Sequence, residues 1–566
     1  PGKSGMRPIV AALVAAAASA ASTADSAAAA QQKHVLFVVA DDLGRNDLAY
    51  FNGGLSESPT IDNLIKEGIF LDSYYTFKVC SPTRTSIMSG RYAWKTGYYD
   101  MVNDEGHVLN FNYSMLPKLL NTVGYTSHAI GKWNVGGIVA KSTPTYNGFE
   151  TFLGYYSACQ MDYFYHNTSC ADAAEGIFPI DFSDNRGDNI SGAAGLAGKY
   201  STHLYTQRAI TVVQQHVQAA RDADSDVVPP LFQYLAYQNV HLACGSAKSK
   251  SVGPVQAPCS TIDRFPMVAT DTFKAQSANL LELDWGIGNV TAAYQAAGIW
   301  DDTVFILVSD NGGPLDHTAN APLRGGKHTF WEGGVRVISF ISGPLVPPAR
   351  RGTVYSGMLH SSDWYKTIFE GIAGGTTPEY TGPTAPDGFN AWDAIMGNAA
   401  SPRTEVIHQV KNQYFNDSTT GYSLRVGDFK LIIGDPGDSR VVAWPQLGPE
   451  SVPFGRSGGN IEGNTGHCRA QSLGGSGSHP KVCTLKPCLF NVVEDTSESH
   501  NLADNATYAP MIAQLTQRLA EAGAEGPPLS LAYPYAGPIQ DRMAQTICDN
   551  AQKTGYWEPA DVPVPE

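Results

Sequence analysis

The chain has 566 residues, 43% apolar and 16% charged, enough to bury at least one large core, with a soft length prior of roughly three or four domains. Its formal net charge of −15 argues against nucleic acid or an anionic membrane surface as a general partner, because both would repel such a field. A local basic pocket remains compatible with that charge.

Met6-Arg7, an apolar run from Ile9 to about Ala21 and small residues through Ala30 have the layout of a secretory signal peptide, so residues 1–30 are expected to be a leader. That run is too short to span a bilayer, and no later segment is long and apolar enough, so no transmembrane anchor is expected. Six acceptor triplets, starting at Asn112, Asn167, Asn189, Asn289, Asn416 and Asn505, agree with a glycoprotein of the secretory pathway. The nine cysteines are an odd number for a compartment that pairs thiols. Setting Cys80 aside leaves enough for four bridges; short loops make Cys159–Cys170 and Cys244–Cys259 plausible pairs. The connectivity of Cys468, Cys483, Cys488 and Cys548 stays open.

Apolar, β-rich runs alternate with helix-like stretches, which is the rhythm of an α/β sheet. Ligands of such sheets bind beyond the carboxyl ends of the strands, so the residues after each run are expected to converge. Val35–Ala40 ends in Asp41-Asp42, and Ser127–Ile130 ends in Gly131-Lys132. Leu231–Val240 ends in His241, and Thr303–Val308 ends in Ser309-Asp310-Asn311-Gly312-Gly313. Tyr422–Gly434 reads as a β-hairpin near the start of a second domain, Gly455–Pro480 as a long surface loop, and Met511–Ala522 as a helix with Met511, Ile512, Leu515 and Leu519 on one face.

Asp41, Asp42, Asp310 and Asn311 form a hard-oxygen set suited to Ca²⁺ or Mg²⁺. Either pair alone is equally well read as turn chemistry, since Asp and Asn favour turns. Two such pairs after two apolar strands favour a metal. In Cys80-Ser81-Pro82-Thr83-Arg84, Pro82 marks a helix start and puts Cys80 near its amino end, where N–H groups favour an anion. A buried free thiol or a disulfide partner is the alternative at that position. Arg84, Lys132, Lys327 and His241 would surround a tetrahedral oxyanion with positive charge and a proton donor.

These residues closely resemble the type I sulfatases, specifically the arylsulfatase B (N-acetylgalactosamine-4-sulfatase) branch. The resemblance rests on Val39-Ala40-Asp41-Asp42-Leu43-Gly44, Cys80–Arg84, Gly124–Trp133, Ser309–Gly313, Leu323-Arg324-Gly325-Gly326-Lys327 and Trp331-Glu332-Gly333-Gly334-Val335-Arg336. Gln238–His241, His360–Trp364, Leu489–Asp495 and the segment from Cys548 to Trp557 point to the branch. The resemblance implies an alkaline-phosphatase-like fold: a large α/β domain with a mixed sheet over residues 31–420, and a smaller C-terminal domain, residues 421–566, with an antiparallel sheet and a helix.

It also implies that a formylglycine-generating enzyme converts Cys80 to Cα-formylglycine, whose hydrate replaces the thiol as nucleophile. Calcium on Asp41, Asp42, Asp310 and Asn311 would contact residue 80; Arg84 and Lys132 would stabilise it. Lys132, Lys327 and His241 would bind sulfate, with His241 and Lys327 protonating the leaving oxygen. The implied activity is hydrolysis of sulfated carbohydrates and aryl sulfates, in an extracellular or lysosomal setting. One position departs from the family: Asn134 stands where it usually has a histidine, and asparagine cannot exchange a proton near neutral pH. Slowed turnover is expected, with His328 a candidate substitute base. Two other readings are a glycan-binding pseudo-sulfatase, which Asn134 alone favours, and a phosphate or phosphonate ester hydrolase, which Cys80 and the oxygen ligands oppose.

Overall fold

The four apolar runs become neighbouring strands of one nine-stranded mixed sheet. The computed structural model describes residues 33–96, 113–137, 139–158, 162–168, 179–193, 195–225, 227–243, 255–268, 270–379, 385–410, 421–444, 467–470, 483, 484, 486–525, 546–550, 552–557 and 559. The strand order is Thr353–Tyr355, Ile69–Leu71, Ser339–Ser342, Thr303–Ser309, His34–Ala40, Leu231–Ala236, Thr126–Lys132, Thr151–Tyr155 and Ser183–Arg186. From Thr303–Ser309 to Thr151–Tyr155 the strands run parallel, and antiparallel neighbours flank that block.

Parallel strands need cover on both faces. The side-chain period of two supplies it: Val35, Phe37 and Val39 enter one apolar core with Ile87, Met88 and Trp364, while Leu36, Val38 and Ala40 enter another with Tyr205, Val213, Leu280 and Leu283. The second core lies beneath two long helices, Ser201–Asp222 and Asp271–Ala297, which pack on each other.

Tyr422–Val426 and Phe429–Ile433 form the expected hairpin inside a four-stranded antiparallel sheet, between Glu405–Gln409 and Cys488–Asn491. The helix Ala509–Ala524 buries Leu515, Leu519 and Ala522. Leu424, Leu431 and Leu489 of this sheet share the core that holds Val35 and Ile87, so the small sheet is built onto the large one through continuous apolar packing.

Two expectations need correction. The strand starting at Leu231 stops at Ala236, and not at Val240, because the following residues turn to bond the backbone of Asp41: Asp41 N–H donates to Asn239 O at 2.8 Å and Val240 N–H to Asp41 O at 2.6 Å. Inside the segment expected to be a surface loop, His467–Ala470 pairs antiparallel with Val255–Pro258. Cys483 and Cys488 form a disulfide, Cys259 and Cys548 each take part in a disulfide, and Cys80 is a free, buried cysteine. The leader, the proposed Cys159–Cys170 pair, Cys244, Asn112 and Asn416 lie outside the described residues. Among the described residues no helix is long and apolar enough to cross a membrane.

A buried ionic group ties the four-stranded sheet to the segment that follows Lys327. Lys430 Nζ lies 2.9 Å from Glu332 Oε1 and 3.0 Å from Glu498 Oε1, Tyr75 donates to Glu332 Oε2 at 2.7 Å, and Glu332 N–H donates to Glu498 Oε2 at 2.6 Å. Burial, reinforced by Glu332 and opposed by Lys430, pushes Glu498 up to about 7; burial would raise Glu332 too, but Lys430, Arg336 and Arg425 outweigh it and hold it at about 2. The folded state therefore holds the Glu498 proton more tightly than the unfolded chain, where it titrates near 4.5. This contribution to stability is full below that value and is lost as pH rises to about 7. Glu498→Gln should flatten the fall in unfolding free energy between those pH values, measured by urea denaturation; a variant with the parental slope would refute the assignment.

Candidate active site

The strand ends deliver their polar residues to one place. Asp41 and Asp42 follow His34–Ala40, Lys132 closes Thr126–Lys132, and Asp310 and Asn311 follow Thr303–Ser309. His241 arrives from the turn after Leu231–Ala236, where Tyr163 Oη donates to its carbonyl at 2.5 Å. The helix Cys80–Ser89 begins at Cys80, two residues before the proline that marked it in the sequence, and all of its residues are buried. Glycine permits the close approach of these segments: a Cβ on Gly131, at φ +95°, would lie 1.8 Å from Ala236 O, and one on Gly326 would lie 2.2 Å from Gly313 O.

The charges are buried and paired. Arg84 Nε and Nη2 donate to Asp310 Oδ2 at 3.0 and 2.7 Å, and Nη1 to Lys132 O at 3.1 Å. Lys132 Nζ donates to Asp41 Oδ2 at 2.7 Å, and Lys327 Nζ to Asp42 Oδ2 at 2.9 Å. Cys80 Sγ lies 3.6 Å from Asp41 Oδ1. Burial alone would raise both aspartates; Lys132, His241 and Arg84 bring Asp41 down to about 2, and His241 and Lys327 do the same for Asp42. Burial pushes the Cys80 thiol up to about 12, against the pull of Lys132 and Lys327, so an unmodified Cys80 stays protonated at neutral pH.

His241 Nδ1 lies 2.6 Å from Leu242 O, which can only accept, so Nδ1 carries a hydrogen and Nε2 faces Lys327 Nζ at 2.9 Å. Burial lowers the pKa of this ring.

The donor atoms could hold a divalent metal. Asp41, Asp42, Cys80 and His241 each offer one ligand atom, all within 4.8 Å of one another and all buried. Asn311 turns its Nδ2 to Asp42 Oδ1 at 2.6 Å and leaves Oδ1 buried without a hydrogen-bond partner. A buried amide oxygen beside carboxylates suits Ca²⁺ or Mg²⁺. Asp310 is committed more heavily to protein partners, taking Arg84 on Oδ2 and the Asp42 N–H on Oδ1 at 3.2 Å.

The sulfatase family profile matches residues 33–373, and arylsulfatase J of Mus musculus is 33% identical over 437 residues, covering 74% of this chain and 67% of that protein. The chain belongs to the sulfatase family. A second relative, N-acetylgalactosamine-6-sulfatase of Canis lupus familiaris, is 25% identical over 515 residues, covering 85% of this chain and 84% of that protein. The crystal structure of the PsFucS1 sulfatase from Pseudoalteromonas sp. has the same fold, with a TM-score of 0.64 at 21% identity over 91% of this chain and 94% of that one. This sulfatase is a sulfuric ester hydrolase of the arylsulfatase type, in a family that generally uses formylglycine and a divalent metal.

The sulfatase brings Asp41, Asp42, Cys80, Arg84, Lys132, His241, Asp310, Asn311 and Lys327 together, and His328 follows Lys327 in the chain. That residue is exposed, with its N–H donating to Lys78 O at 2.8 Å, whereas Cys80 is buried. Asn134 is buried with φ +52° and accepts a hydrogen bond from Ser81 Oγ at 2.9 Å, one residue from Cys80. Asparagine and histidine both tolerate that left-handed conformation. Sequence reasoning missed Ser81, whose partner is set by the fold, and gave no weight to His317, which stands between the Ser309–Gly313 and Leu323–Lys327 motifs.

If Asn311 Oδ1 is a cation ligand, adding a divalent cation to the chelator-treated protein should raise its melting temperature, by about 2.7 kcal/mol of added stability at a hundredfold excess over Kd. Asn311→Leu should lose most of that increment in thermal denaturation with and without cation. An increment equal to the parent's would exclude this oxygen from the site.

Proposed function

We propose that this sulfatase hydrolyses sulfate esters of terminal sugars and of small aryl alcohols, with residue 80 matured from cysteine to Cα-formylglycine by a formylglycine-generating enzyme. The placing of Cys80 carries the reading: a buried residue at the start of a helix, beside Asp41, within the field of Lys132 and Lys327. The Cys80–Arg84 motif and the Asn311 oxygen support it. When present, formylglycine supplies an oxygen nucleophile, and a bound Ca²⁺ supplies a Lewis acid, held by Asp41, Asp42, Asp310 and Asn311.

The chain's own residues do the rest. Arg84, fixed by two bonds to Asp310, holds the helix carrying residue 80 against the strand ends. Lys132 and Lys327 place positive charge where a sulfate oxygen would sit, and both ammonium groups are kept charged: burial lowers their pKa, but Asp41 for Lys132, and Asp42 and Asp41 for Lys327, raise it further. His241 Nε2 accepts from the Lys327 ammonium at 2.9 Å, so the proton this pair would offer a leaving oxygen is the one carried by Lys327. The −15 charge disfavours long polyanions and favours small or terminal sulfate groups. The motifs shared with arylsulfatase B and the named activity of the N-acetylgalactosamine-6-sulfatase relative support a sulfated amino sugar. Exposed acceptor asparagines at 189, 289 and 505, with disulfide-bonded cysteines, support passage through the secretory pathway to an extracellular or lysosomal destination.

Mass spectrometry of the tryptic peptide containing position 80, from protein made in its native secretory pathway, should find the aldehyde, and that protein should hydrolyse para-nitrophenyl sulfate. Unmodified Cys80 with no hydrolysis would refute the reading. Asn134→His should then raise kcat by at least ~10-fold, since a positioned acid or base contributes ~10²–10⁴. Single-turnover and steady-state rates of the two forms check this, and an unchanged kcat would mean that no base is missing.

A further inference from the structure

Three buried histidines among the described residues have neither ring nitrogen in a hydrogen bond: His166, His317 and His408. Backbone groups of Leu196 and Lys199 lie against His166, and that of Thr76 against His408. The groups acting on His317 are instead Asp42, His241 and Lys327. Its loop lies directly on that site. Lys327 N–H donates to Gly313 O at 3.2 Å, Asn320 Nδ2 to the same oxygen at 2.7 Å, and Thr318 N–H to Pro314 O at 3.1 Å. Ala319 N–H donates to Asp47 Oδ1 at 2.8 Å, and a Cβ on Gly313 would lie 3.0 Å from Asp42 O.

Within this hydrogen-bonded loop the ring is fully buried, with a donor and an acceptor that nothing in the protein engages. A buried donor without an acceptor is disfavoured, so the working enzyme provides one. We propose that His317 is a substrate-contacting residue, its imidazole N–H donating a hydrogen bond to the sulfate ester held between Lys327 and His241. The inference rests on the function proposed above and adds a neutral donor beside the charged groups of the site. Burial, opposed by Asp42 and reinforced by His241 and Lys327, takes the ring down to about 3, so it meets the anion as a neutral donor and adds no cation.

Kinetics of the holoenzyme test it. His317→Phe should raise both KM for para-nitrophenyl sulfate and the inhibition constant of inorganic sulfate by ~10-fold, the change expected for one hydrogen bond to a charged group, with kcat altered less. His317→Gln, which keeps an N–H donor, should recover most of that loss. A lower melting temperature with both constants unchanged would mean a histidine satisfied by a buried water, and would overturn the inference. Should the substitutions prevent folding, the ¹⁵N imidazole resonances of the unaltered holoenzyme decide it: inorganic sulfate must shift those of His317, and no shift refutes the contact. An inactive parent enzyme would sink the function proposed above; an active parent with sulfate-insensitive His317 sinks only this inference.

Discussion

The site is governed by a neutralisation problem. Three aspartates, Asp41, Asp42 and Asp310, sit with Arg84, Lys132 and Lys327 in a region from which water is almost excluded. Removing such ions from water costs several kcal/mol each, and only close opposite charge and hydrogen bonds offset it. Each aspartate has a close cationic partner, Arg84 on Asp310, Lys132 on Asp41 and Lys327 on Asp42, and Arg84 also lies 3.6 Å from Asp41. Every segment that brings one of these residues is therefore constrained by the segment that brings its partner. The helix of Cys80 is located by Arg84, and the glycine-rich segment before Lys327 by Asp42.

This balance leaves chemistry available. Each aspartate already has a cationic partner, yet the buried Asn311 oxygen and the ring of His317 have none. Among the described residues of the site, every aspartate has a cationic partner while two buried polar groups have unused hydrogen-bonding atoms. That combination suits a site that admits a cation and an anion together, because the pair enters without leaving a large uncompensated charge.

The scaffold makes the constellation possible through the direction of its strands. Five parallel strands end on the same edge of the sheet, so one end of the fold collects Asp41, Lys132, His241 and Asp310 from distant parts of the sequence. The C-terminal sheet has a different part in this. Its Lys430 reaches Glu332, five residues after Lys327, so the smaller sheet braces the loop that positions a site residue.

Much of this was legible because apolar runs that end in polar residues are a local pattern. Val35–Ala40 and Thr303–Val308 declared themselves as buried strands, and Asp41, Asp42, Asp310 and Asn311 as their polar exits, from composition alone. The hairpin from Tyr422 carried its own turn, and Cys80 stood out as the odd thiol beside proline and arginine. What the chain does not encode locally is who meets whom. The strand from Leu231 ended early because the backbone of Asp41, about 200 positions away, captures the next turn. His467–Ala470 became a strand because Val255–Pro258 offered an edge to pair with. Glu498, Ser81 and His317 take their significance from burial and neighbours, neither of which a residue type announces. The sequence by itself determined the strands, the chemistry of their ends and the family; the tertiary structure alone decided which charges pair and which buried atoms are left without a partner, since both depend on contacts between segments hundreds of residues apart.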